Sequence, residues 1–233
     1  MPGLPAAPSV RTQQPTPQSP ARAQPLTWGP KGLPVPFAVA WSGEATSVAG
    51  LCVRRGRLAY EDEVTQDRDR HGILWARVPD RPGAGRPDYR AMHTVRQRAA
   101  VLGLRCQVCG GPADRTSRGW LFLLPAHEQA EQDGPAPEPN SRTPHGNSEG
   151  LLTTKPPICR PCADLAVRHC PHLRRPALVR SRKPRVWGVF GGFCTPGADG
   201  TLIASEDAYL PYGSPGAPWF LASQAVLELT RCS

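Results

Sequence analysis

Cys106-Gln107-Val108-Cys109-Gly110-Gly111 and, about fifty residues further on, Cys159-Arg160-Pro161-Cys162 are the two stretches that decide how this chain is read. In each, two residues separate a pair of cysteines, the gap that lets both thiolates face one ion, and the glycines after the first pair permit a sharp turn. Four sulfurs make up the full tetrahedral shell of a structural zinc site. Cys106, Cys109, Cys159 and Cys162 are therefore the expected ligands and zinc the expected cofactor.

The surroundings of the two pairs extend this reading. The first pair is followed by Trp120 to Leu124, a continuous apolar run suited to a buried strand, and then by Leu151 and Leu152 as a return strand. The second pair opens a short helix over Ala163 to His169, with Pro161 where a first helical turn tolerates proline and where the helix dipole favours thiolate. Knuckle, strand, return strand and ligand-bearing helix follow one another as in a treble-clef zinc finger. Upstream, Met92, Val95, Ala99 and Leu102 recur at helical spacing, with Gly103 placed to end the helix just before Cys106.

Further out the elements are short. Val35, Phe37, Val39 and Trp41 alternate with smaller residues as in an edge strand, Leu51–Val53 and Leu58–Tyr60 flank a turn at Gly56, and Ile73–Val78 gives another strand. Glu61 to Arg70 is almost wholly polar and reads as a solvated loop or frayed helix. Val186–Phe193 reads as a strand kinked by its glycines, with Thr201–Ala204 pairing to it. Pro218, ahead of Trp219, Ala222, Val226 and Leu229, suits a C-terminal helix. The expected class is α+β: short-stranded sheets, a helix before the first pair, a zinc site within 106–172 and a terminal helix, in one domain over 34–233. Residues 1–33 are a Pro-rich tail too poor in large apolar side chains to offset their ordering entropy, and about 126–156 reads as a flexible insertion.

The bulk numbers fit a small core. Of 233 residues, 29 are Pro and 23 Gly, enough to interrupt nearly every apolar run. The net charge is +9, and all but three of the 28 basic residues are arginine. A high-GC genome gives that bias through its codons, and phosphate recognition gives it through the guanidinium fork. No stretch approaches the roughly 18 apolar residues of a membrane span. Without a secretory start, the chain is expected in the cytoplasm, where eight cysteines suit metal binding and buried thiols better than disulfides.

Other chemistry is thinner. His169, Cys170 and His172 follow the second pair, but Cys162 and His169 stand roughly 10 Å apart along a helix and cannot share an ion unless it ends between them. Cys52, Cys194 and Cys232 read as buried small hydrophobes. His127, His145 and Asn147 invite comparison with HNH-type nucleases, whose finger they partly imitate, but Ala163 stands where those enzymes usually place a histidine. No nucleophile with a base, phosphate-binding glycine loop or paired carboxylates is recognisable, and no small-molecule substrate is identified. Arg174, Arg175, Arg180, Arg182, Lys183 and Arg185 form a basic strip suited to DNA or RNA phosphates. The competing expectation is a protein-interaction module in which zinc supplements a small core.

Ala40-Trp41-Ser42-Gly43-Glu44, the stretch from His93 to Pro112, and Pro156 to Arg175 with its Cys159-Arg160-Pro161-Cys162-Ala163 and His169-Cys170-Pro171-His172 resemble a family of zinc-finger-like, paired-CxxC proteins of high-GC actinomycete bacteria. The resemblance runs from about residue 37 to the C-terminus, through Leu221–Gln224 and Leu227–Leu229. It implies no known activity.

Overall fold

Alternating faces of one strand organise the molecule. The computed structural model describes residues 26–124, 150–170, 173, 176–199 and 201–233. In chain order the strands are β1 (Thr27–Trp28), β2 (Leu33–Pro34), β3 (Val39–Trp41), β4 (Leu51–Arg54), β5 (Arg57–Tyr60), β6 (Leu74–Trp75) and β7 (Pro87–Met92). Helix α1 (Thr94–Leu102) leads to β8 (Arg115–Thr116), β9 (Gly119–Leu124) and β10 (Leu151–Thr153). Helix α2 (Arg160–His169) precedes β11 (Ala177–Ser181), β12 (Arg185–Pro196), β13 (Leu202–Pro211) and β14 (Phe220–Leu229). The described chain is thus sheet-rich with two helices, compatible with an α+β class.

The largest sheet runs β10-β14-β12-β13, with β6 added in parallel to β14. A second sheet, β11-β9-β8, carries β9 in its centre. Every residue of β9 from Leu121 to Leu124 is buried. Phe122 and Leu124 face the main core with Val189, Phe220, Leu227 and Leu229, whereas Leu121 and Leu123 face a smaller cluster with Cys106, Val108, Ile158 and Ala163. Strand geometry points successive side chains to opposite faces, so one short strand serves two cores.

Several expectations require correction. The C-terminal segment is strand β14, not a helix. Its near-continuous apolar run reads equally well in either period, and a place between β10 and β12 in the largest sheet decides it. Pro218 lies in a single 3-10 turn, Ala217–Trp219, that leads into the strand. Gly188 and Gly191 do more than bend β12: a Cβ at either would come within 2.1 Å of the carbonyl oxygen of Leu210 or Leu221, so close strand approach requires glycine there. Leu151–Thr153 pairs with β14 rather than returning along β9, whose hairpin partner is β8. Residues 26–33, expected in the tail, hold β1 and the turn before β2, and Trp28 meets Trp41 edge-on at 6.1 Å. The described chain resumes at Gly150, so 150–156 belong to the fold; the rest of the tail and of the insertion lies outside the described residues.

Helix α1 forms where expected but turns its other face inward. Val95 and Leu102 are exposed, while Arg96, Gln97, Ala100 and Val101 are buried. The reason is polar. Arg96 donates to the carbonyls of Phe37 (2.8 Å) and Val39 (2.9 Å) and to both carboxylate oxygens of Glu44 (2.7 and 2.6 Å), and also pairs with Asp80. Gln97 donates to the carbonyls of Thr154 (2.6 Å) and Ala225 (2.9 Å) and accepts from the Ala225 amide (2.9 Å), tying the helix to β14. Glu61 to Arg70, expected as a solvated loop or frayed helix, is mostly exposed and holds one 3-10 turn at Thr65–Asp67, but it is tied down: Arg77 clamps the buried Asp67 at 2.9 and 2.6 Å, Arg68 grips Glu63, and Asp69 accepts from Trp75 and Tyr212.

Candidate metal centre

The first cysteine pair lies in a tight knuckle. The Cys106 amide donates to the Gly111 carbonyl at 2.7 Å and the Gly110 amide to the Cys106 carbonyl at 2.8 Å. Gly110 adopts φ +67°, and the Phe37 ring lies 3.0 Å from where its Cβ would be, so both conformation and space exclude a side chain. Outside the knuckle the backbone is pinned on two sides. Phe37 and Ala38 donate to the carbonyls of Val108 and Gln107, and Gln107 donates to Pro157, just ahead of the second pair. Ile158 in turn donates to Leu121 on β9.

The second pair sits at the start of α2, with Cys159 as N-cap and Pro161 in the first turn. All four sulfurs lie within 4.8 Å of one another, and Cys109 and Cys159 are separated by 3.9 Å. A disulfide needs about 2.05 Å. A tetrahedral ion with metal–sulfur bonds of about 2.3 Å sets its ligands roughly 3.8 Å apart. All eight cysteines are thiols, none in a disulfide. The four therefore make a cluster that could hold one metal ion.

Its electrostatics ask for a cation. Burial pushes the Cys106 thiol up to about 11, although the amides of Cys109, Cys159 and Val108 donate to its sulfur. Burial and the three neighbouring sulfurs push Cys162 up further. Cys109 goes the other way: burial opposes its ionisation, but the Gly111 amide and neighbouring thiols outweigh it. Four crowded sulfurs with aimed amides, and with no cationic side chain among the described residues hydrogen-bonded to them, ionise together only around a positive ion.

Remaining candidates divide sharply. Glu44, Asp80 and His93 also lie within 4.8 Å of one another, but the Arg96 guanidinium already fills the place of a cation among them. His93 accepts from the Arg96 amide and its other ring nitrogen lies 3.1 Å from the Pro79 carbonyl, a satisfied cap. His169 is exposed at the last turn of α2 and Cys170 is its C-cap, outside the sulfur cluster. His127, His145, Asn147 and His172 lie outside the described residues. Cys194 is buried beside Leu58, Tyr60 and Leu74, whereas Cys52 and Cys232 are half-buried.

No family model, curated protein or solved structure matches the chain. The site is therefore read from its own chemistry.

The basic strip is rearranged. Arg174 and Arg175 lie outside the described residues. Arg180 pairs with Asp114 and donates to Gly119, and Arg185 pairs with Glu228 at 2.7 Å, so both are engaged within the fold. Arg182 and Lys183 are exposed. Register places other cations near them that linear reading missed. Ser181 is paired with Trp120, Trp120 with Arg115, and the Arg182 amide donates to Arg231 at 3.3 Å. Arg118 lies in the β8–β9 turn, and Arg115 stacks over the Trp120 ring at 4.2 Å. Arg115, Arg118, Arg182, Lys183 and Arg231 are all exposed, and no ion pair among the described residues holds any of them. These positions are scattered in sequence, and only the strand pairing gathers them. Among the described residues no helix is long and apolar enough to cross a membrane.

Proposed function

We propose that the chain is a zinc-stabilised module that binds nucleic acid through the basic end of the β11-β9-β8 sheet. The observation that carries the zinc reading is the convergence of Cys106, Cys109, Cys159 and Cys162 within 4.8 Å. Four soft thiolates within 4.8 Å of one another favour zinc over the hard divalent cations, and a shell filled entirely by protein leaves no open position for substrate. The role is structural. Knuckle, β8–β9 hairpin and α2, with ligands from the knuckle and the first helical turn, follow the order of a treble-clef finger.

The nucleic-acid reading rests on the five exposed cations at one end of that sheet, on three different connections. Guanidinium groups suit phosphate, and the surface would follow the backbone rather than base edges. Fluorescence anisotropy with duplex and single-stranded oligonucleotides over a salt series tests it. Affinity should fall steeply with salt, and Arg118→Ala with Arg182→Ala should flatten the log–log slope by about 0.9 for each duplex phosphate no longer neutralised. Binding that ignores both salt and those substitutions sinks the reading.

A protein-interaction module is favoured instead by β13, which is the outer strand of the largest sheet and exposes Ile203 and Tyr209. An extended peptide adding to that edge would compete with no phosphate. Nuclease-resistant capture of a defined partner, abolished by Ala204→Pro, would support it.

A further inference from the structure

Strand register sets the width of the basic end. Arg115 is paired with Trp120, Trp120 with Ser181, and Ser181 with Cys232, so four chain segments lie side by side there. Arg180 and Ser233 exchange two backbone hydrogen bonds of 2.9 Å, which fix the last segment against β11. Three interstrand spacings of about 4.8 Å separate the backbones of Arg115 and Cys232 by about 14 Å. Arg115 and Arg231 therefore stand on opposite flanks, and Arg118, Arg182 and Lys183 come from the connections between them. Gly119 keeps those connections in contact. Its φ is +105°, and a Cβ there would lie 2.1 Å from the Ser181 carbonyl oxygen and 2.5 Å from the Arg182 nitrogen, so only glycine seats the β8–β9 turn against Arg182. Asp114 and Glu228, the acids nearest in sequence to Arg115 and Arg231, are already paired with Arg180 and Arg185.

We propose, resting on the nucleic-acid reading above, that this surface takes a duplex, with its two flanks on the phosphates of opposite strands across one groove. A single strand offers one line of phosphates, so it would engage one flank and leave the other in water. A B-form duplex offers two lines, divided by grooves about 6 Å and 12 Å wide, and long arginine side chains on a base of about 14 Å reach both. Charge density acts in the same direction. A duplex carries one charge per about 1.7 Å of its axis and releases about 0.9 counterions per contact, against about 0.7 for a single strand. Proteins that prefer single strands offset this by stacking bases on exposed aromatic rings. Trp120, the aromatic residue in register with these cations, is half-buried and has the Arg115 guanidinium 4.2 Å over its ring. The exposed rings, Trp28, Tyr89 and Tyr209, lie on β1, β7 and β13 instead. Phosphate contacts of this kind select no base sequence.

The test is fluorescence anisotropy of the full, metal-loaded chain with a DNA duplex, the equivalent RNA duplex and each separated strand. In at least one helical form the duplex should bind at least about tenfold more tightly than its strands, and the tighter form identifies the source. A duplex with uncharged methylphosphonate linkages throughout one strand separates one-sided from two-sided contact. Two-sided contact predicts binding weakened at least about tenfold whichever strand is neutralised, whereas a one-sided surface would turn to the intact strand. Arg115→Gln with Arg231→Asn removes the flanking charges; glutamine keeps a stem over Trp120, and asparagine tolerates the φ of +54° at its position. That variant should keep its metal and a salt-dependent affinity through Arg118, Arg182 and Lys183, yet bind duplex and single strand alike. Strands that match the duplex, a half-neutralised duplex that binds like the unmodified one, or a double variant that keeps the duplex preference would overturn the inference and leave the nucleic-acid reading in place. Salt-insensitive binding, or none, to every one of these probes overturns both.

Discussion

The two faces of β9 look onto two differently built interiors. On one side Phe122 and Leu124 join a cluster of 14 buried residues drawn from both sheets and α1, large enough to hold its strands by apolar contact. On the other, Leu121 and Leu123 meet four more buried residues among the described ones, Cys106, Val108, Ile158 and Ala163, and one of those is a cysteine of the sulfur cluster. The difference teaches where the metal matters. Oil suffices for the large sheet; the knuckle and α2 enclose too little of it, and the four sulfurs that could hold one ion lie where that apolar contact is thin.

Breaking the metal side should give the largest effect. Cys159→Ser, or a strong chelator, should detach α2 and cost on the order of 10 kcal/mol of apparent folding energy on that side, while the largest sheet persists. Far-UV circular dichroism would show lost helix with retained strand. Because burial holds Cys106 up near 11, binding must expel protons, so affinity should fall as pH falls and acid should release the metal. A single cooperative loss of both regions on chelation would erase the distinction between the two interiors.

Phe122→Ala tests the opposite face of the same strand. It should cost about 3–5 kcal/mol in denaturant unfolding and still leave one metal bound. Loss of the metal in that variant would mean that the two clusters are one cooperative unit.

Glu44→Gln comes next. It leaves the buried Arg96 with a neutral partner and should cost roughly 3 kcal/mol. Burial opposes ionisation of Glu44, but Arg96 and the amides of Trp41 and Arg81 hold its carboxyl below the ordinary 4.5. A depressed acid stabilises the fold above its unfolded value and ceases to do so as pH falls through the folded one. The wild-type advantage over Glu44→Gln should therefore be constant at neutral pH and vanish on acidification below about 4.5. An advantage unchanged in acid would contradict the assignment.

Arg182→Ala with Lys183→Ala should change stability least, by less than about 0.5 kcal/mol, since both side chains are exposed. The pair should nevertheless weaken oligonucleotide binding and its salt dependence. If stability moved and binding did not, the basic end would be structural.

Sequence carried each half of the cysteine cluster well because that signal is local: a two-residue gap and turn glycines constrain a pair of sulfurs whatever the rest of the chain does, and two such pairs can complete one tetrahedral shell. The β4–β5 hairpin was legible for the same reason, with Arg55 at φ +52° and Gly56 at φ +70° making the turn. Elements settled by distant partners were not. Phe220–Leu229 is apolar enough for either period and becomes a strand because β12 and β10 flank it. On α1 the apolar stripe pointed outward because Arg96 and Gln97 find carboxylate and backbone partners more than fifty residues away, which no periodicity encodes. The basic end was half visible: Arg182 and Lys183 are adjacent in sequence, but Arg115, Arg118 and Arg231 join them only through strand register.

Metal content and thiol protection of the purified, reduced chain address the idea that four sulfurs share one ion. Elemental analysis should give one zinc per chain, and under native conditions Cys106, Cys109, Cys159 and Cys162 should resist alkylation until a chelator is added, whereas the buried Cys194 should stay protected with or without it. A folded protein that contains no metal, and whose four cysteines are alkylated without disturbing α2, would contradict it.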